Sequence, residues 1–149
     1  MRRNLVTTAA SSLMILLFLY ASTSKYWDFS SFQRAMHNQP LPYWFATILI
    51  WIIPVIEIAI AVMIFMPKTN MKGIYASFIL MSLFTIYIIA GLLHIFTRVP
   101  CTCGGVIKNL TWSEHLLFNL FFVLLTLWAI LENKVLNKKH SKTNHTSLS

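Results

Sequence analysis

The sequence predicts an all-α integral membrane protein, a bundle of four transmembrane helices with both termini in the cytoplasm. Three observations carry that prediction. The 149 residues are 57% hydrophobic and 11% charged, where an ordinary soluble domain carries roughly 25% charged residues. The apolar residues fall in four long runs, each close to the ~20 residues that cross a bilayer core. The Lys and Arg residues collect at the ends of those runs. That placement reads the +8 net charge as helix anchoring and orientation in lipid, and it rejects nucleic acid as the partner. At this length the chain is one domain, with residues 1–132 forming the bundle and 133–149 a basic cytoplasmic tail.

The first run, Leu5–Thr23, follows the basic start MRRN and is strongest over Leu13–Ala21. It is rich in Thr7, Thr8, Ser11 and Ser12. Two readings stand: a first transmembrane helix with its hydroxyl residues toward neighbouring helices, or a signal peptide. The chain emerges on the same side in both. Ser24–Pro42 reads as a loop. Within it, Trp27, Phe29, Phe32 and Met36 fall at near-helical spacing, which predicts a short helix lying on the membrane surface.

Tyr43–Met66 is the second span and contains Pro54 and Glu57. Pro67–Lys72 is a tight polar turn. Gly73–Ile95 is the third span, with Tyr87, Gly91 and His94 toward its end. Phe96–Leu110 holds the two cysteines. The last span opens on Thr111-Trp112-Ser113-Glu114, the pattern in which the Thr side chain caps the helix and the Glu folds back to the cap amide. That helix is expected to run to about Leu131. Glu132–Ser149 is polar and basic without apolar periodicity and is expected to be disordered.

Counting charges orients the bundle. Arg2, Arg3, Lys68, Lys72, Lys134, Lys138, Lys139 and Lys142 fall on one side, and Lys25, Arg34, Arg98 and Lys108 on the other. The richer side is cytoplasmic. Both long loops then face outward, which in a bacterial inner membrane is the periplasm, where disulfides form and persist.

The candidate chemistry centres on Cys101 and Cys103, a C-x-C pair followed by Gly104 and Gly105. One intervening residue makes ordinary disulfide geometry hard to reach, and strained disulfides are the labile, oxidising ones. Arg98, Lys108 and the Gly-Gly amides favour thiolate. A static bridge, two packed thiols and metal binding are the competing readings.

Several residues fall around this loop. Trp112, His115 and Asn119 share one face of the last helix near its outer end. Tyr87, Gly91 and His94 share a face of the third, and Tyr20 and Lys25 end the first. Together they suit proton movement for thiol exchange or a quinone head group. Interfacial anchoring by Tyr and Trp is the plainer alternative. Glu57 lies about 21 Å into its span at 1.5 Å per residue. An intramembrane carboxylate is either functional or a hydrogen-bonding tie between helices. At that depth Glu57 is not expected to touch the cysteines.

Tyr20–Lys25 (YASTSK), Ile53–Ile58 (IPVIEI), Phe84–Ile88 (FTIYI) and, most specifically, Pro100–Asn119 (PCTCGGVIKNLTWSEHLLFN) resemble the MauE/DoxX-like membrane proteins over about residues 5–131. The resemblance implies a four-helix bundle. It also implies a role tied to methylamine utilisation, in which disulfides are formed in the small subunit of methylamine dehydrogenase or that subunit is transported or matured. DoxX-type relatives imply a link to quinol oxidation. The family's cysteines map onto Cys101 and Cys103, its buried acid onto Glu57, and its helix-start polar residues onto Trp112, His115 and Asn119. Three functions follow as expectations: a thiol–disulfide oxidoreductase for a thioredoxin-like or dehydrogenase partner in the periplasm, a non-enzymatic subunit docking such a partner, or a metal-delivery protein.

Overall fold

The computed structural model describes residues 5–93 and 112–146. These form five helices: α1 (Leu5–Trp27), α2 (Phe29–His37), α3 (Tyr43–Phe65), α4 (Asn70–Leu92) and α5 (Trp112–Thr146). Four segments are long and apolar enough to cross a membrane: all of α1, α3 and α4, and Glu114–Leu136 of α5. The four-helix membrane bundle read from the sequence is the fold. The long helices alternate in direction around a ring in which α1 packs on α3, α3 on α4, α4 on α5 and α5 on α1, with little contact across the α1–α4 diagonal. The end of α1, the start of α3, the end of α4 and the start of α5 therefore share one end of the bundle. This end, the outer one by the charge count, also carries α2.

Three apolar clusters lie along the axis. At the inner end Ala10 of α1 meets Ile74 of α4 and Ala129 and Ile130 of α5. At the centre Met14 and Phe18 pack with Ile60, Ala61, Ile64, Met81 and Phe122. At the outer end Phe32 and Met36 of α2 pack on Ala46, Ile50 and Ile53 of α3. α1 thus supplies central core residues.

The turn between α3 and α4 is tied by side chains. A helix end leaves its last carbonyls without intrahelical partners, and those that are buried need protein donors. Thr69 Oγ1 donates to the Met63 carbonyl at 2.8 Å. Asn70 Nδ2 donates to the Ile64 carbonyl at 2.6 Å and to Ser11 Oγ of α1 at 3.0 Å. Gly73 lets α4 start this close to α3, because a Cβ there would stand 2.7 Å from both the Ile64 backbone nitrogen and its Cγ1. Ser77, Thr85 and Thr126 are buried and return their hydroxyls to carbonyls one turn back on their own helices.

The structure corrects four sequence expectations. α1 continues to Trp27, four residues past Thr23, because its last turn finds partners on α3. α4 starts at Asn70, inside the segment read as a turn, because Asn70 bonds two neighbours at once. α2 is the short helix the spacing predicts, but its Phe32 and Met36 are buried against α3 and do not face out from the bundle, while Trp27 of α1 is 90% exposed. The tail read as disordered continues α5 as helix through Thr146. Extending an existing helix adds a hydrogen bond per residue without a new nucleation cost, and Lys, Leu and Glu are good helix formers.

Candidate functional site

The polar centre of the described structure lies between the central and outer apolar clusters. Lys25 is near the end of α1, in the run Ser22-Thr23-Ser24-Lys25. Glu57 is three residues after Pro54 in α3. The two antiparallel helices bring Lys25 Nζ to 2.5 Å from Glu57 Oε1. Both residues are 2% exposed. Ser22 Oγ, one turn before Lys25 on the same face, donates to Glu57 Oε2 at 3.2 Å and lies 3.4 Å from the Pro54 carbonyl. Both carboxylate oxygens are thereby engaged, as burying a charge requires. Pro54 has no N–H for the carbonyl of Ile50, which weakens the α3 ladder one turn outward of the pair.

On its outward side the pair meets α2. Lys25 Nζ lies 5.8 Å from the centroid of the Phe32 ring, within cation–π range. Asp28 separates α1 from α2 and caps the latter by accepting from the Ser31 amide at 3.3 Å. Beyond α2, Gln39 is buried, and its Nε2 donates to the Ala35 carbonyl at 3.2 Å. Its Oε1 accepts from the hydroxyl of Tyr87 on α4. His37, in the last turn of α2, stacks on Tyr43 of α3 at 4.3 Å between centroids and 10° between planes. Both of its ring nitrogens are buried without a hydrogen-bond partner.

The structure brings together some of the residues singled out in the sequence. Glu57 and Lys25 meet directly, and Lys25, taken as an outer loop charge, is buried inside the bundle instead. Tyr87 reaches Gln39 and the end of α2. His115 and Asn119 lie in the first turns of α5. Asn119 is buried, and His115 is half-buried with its Nδ1 shielded and unpartnered. Trp112 is the first residue of α5. Cys101, Cys103 and His94, together with the Thr111 cap, lie outside the described residues. Among the described residues no three His, Cys, Asp or Glu side chains gather as a metal site would need.

Ser22, His37 and Gln39 are the residues sequence reasoning passed over, and Phe32 enters it only as part of the apolar face of a short helix. The YASTSK run did contain a signal for the first. A hydroxyl three residues before a lysine shares that lysine's helix face, so a buried lysine brings the hydroxyl to its acid.

A family model described as methylamine utilisation protein MauE matches residues 3–132. The chain belongs to the MauE family. The match takes in α1, α2, α3, α4 and α5 as far as Glu132, so the Lys25–Glu57 pair and its surroundings all fall within the MauE region. The helical extension past Glu132 falls outside it. No curated protein and no solved structure matches this MauE-family chain.

Proposed function

We propose that this MauE-family protein is an inner-membrane thiol–disulfide carrier that helps a periplasmic protein mature, with Cys101 and Cys103 as the exchanging pair. The observation that carries the reading is the place of that pair in the chain. Chain order puts the C-x-C in the segment that joins the end of α4 to the start of α5, and those two helix ends share the end of the bundle that α2 also occupies. The charge count favours that end as the outer one.

The exchange balances as follows. The client's dithiol becomes a disulfide, losing two electrons and two protons. The Cys101–Cys103 disulfide takes up both and opens to two thiols. Reoxidation of those thiols returns two electrons and two protons to a membrane quinone. His115 fits such an acceptor, because its shielded Nδ1 has no partner and an imidazole nitrogen can hold a quinone oxygen by a hydrogen bond. A bound quinone supplies the two-electron sink. His115 supplies a group that gives or takes a proton at Nδ1.

The test combines side, oxidation state and exchange. A membrane-impermeant maleimide should label Cys101 and Cys103 on intact cells, and only after reduction. Cys103→Ser should abolish client maturation and trap a mixed disulfide between Cys101 and the client. Labelling that needs broken cells, or full function in both single Cys→Ser variants, would sink the proposal.

A further inference from the structure

We propose that α2 is a lid over the Lys25–Glu57 pair, latched to α4 through Gln39 and opening to admit water to the pair from the outer end. This reading stands apart from the thiol chemistry, and neither depends on the other's outcome.

The connections suit a lid. α2 is nine residues long, joined to α1 by Asp28 and to α3 by residues 38–42. Its buried apolar contact with the bundle is made by Phe32 and Met36 on Ala46, Ile50 and Ile53. The opposite face, with Ser30, Gln33 and Arg34, is exposed. Phe32 is also the aromatic ring that stands over the Lys25 ammonium. Lifting α2 therefore removes the ring that covers the Lys25 ammonium.

Two features set opposite biases on the lid. The latch runs from the Tyr87 hydroxyl to Gln39 Oε1, and from Gln39 Nε2 to the Ala35 carbonyl in the last turn of α2. It fastens the end of α2 to α4, whose Phe84 also packs against the cluster that Phe32 and Met36 form with α3. His37 acts against closure. Its two ring nitrogens are buried without partners in the closed arrangement, a state that is costly for polar groups and that hydration on opening relieves. A segment so balanced belongs to the low-stability end of a fold, where local opening occurs without global unfolding.

The experiment uses the full chain in lipid nanodiscs. Hydrogen–deuterium exchange reads the opening of α2, and a water-soluble carbodiimide with glycine ethyl ester reads the accessibility of Glu57, both by peptide mass. Tyr87→Phe breaks the latch and should speed α2 exchange and Glu57 labelling together by about fivefold, the worth of one net hydrogen bond. His37→Phe keeps the stack on Tyr43 but removes the stranded nitrogens, and should slow both by about tenfold. Exchange over Met14–Phe18 should not move in either. Gln39→Met breaks the same latch and replaces Tyr87→Phe if that variant does not fold. α2 exchanging in step with Met14–Phe18 would overturn the lid, as would Glu57 labelling that ignores α2 exchange or His37→Phe leaving both rates unchanged.

Discussion

The ammonium of Lys25 meets the carboxylate of Glu57 at 2.5 Å, fourteen residues along α3 from its outer end and only two from the end of α1. The two helices are therefore slid past one another. α3 continues outward beyond α1, and α2 fills the space that this leaves. The ion pair, the lid and the aromatic contact of Phe32 with Lys25 are consequences of the one offset.

That pair makes single and double substitutions behave differently. Lys25→Met leaves an uncompensated buried carboxylate and should cost about 3–5 kcal/mol. Adding Glu57→Leu removes both charges and should recover most of the loss, because two buried charges replaced by apolar groups of similar volume are often neutral. Reversible unfolding in mixed detergent micelles measures this. Equal losses in the single and double variants would mean that the pair does not hold the helices by charge.

The inner turn gives a second expectation. Asn70→Leu strips the Ile64 carbonyl of its side-chain donor and unties Ser11 of α1. The loss should be about 1–3 kcal/mol. Asn70→Gln, with a longer amide, should restore part of it. The midpoint of the same unfolding curve reads both.

Close packing at Gly73 gives a third. Alanine there places a Cβ against backbone as well as the Ile64 side chain, and backbone does not step aside as a flexible side-chain end would. Gly73→Ala should destabilise by about 1–3 kcal/mol, the usual cost of overpacking, despite the better helix propensity of alanine. A raised melting temperature for Gly73→Ala would contradict the packing.

The extension of α5 gives a fourth. The apolar segment of that helix ends at Leu136, and the described core reaches no further than Ile130. Truncation after Leu136 should therefore change bundle stability by less than about 0.5 kcal/mol, while lowering helical circular dichroism by the share of the residues removed. An unchanged helical signal per molecule would show that the extension is not helical in solution.

Much of this architecture is legible from local pattern. Four apolar runs of membrane-spanning length, separated by one tight turn and two longer connections, determine a four-helix bundle with alternating directions. Glu57 declares itself because a carboxylate inside such a run has no water to face. The cysteine pair and its flanking helix start are legible in the same way, as motifs in contiguous sequence. What the sequence did not reveal is the slide of α1 against α3. Hydropathy measures how much of a segment is apolar, and it is nearly indifferent to a shift of one helix along another. Only the tertiary structure decided that Lys25 is a buried partner of Glu57, that α2 buries Phe32 and Met36 on α3, and that Gln39 ties α2 to Tyr87. Each of these joins residues distant in the chain, and their energies depend on which side chains arrive at the same depth.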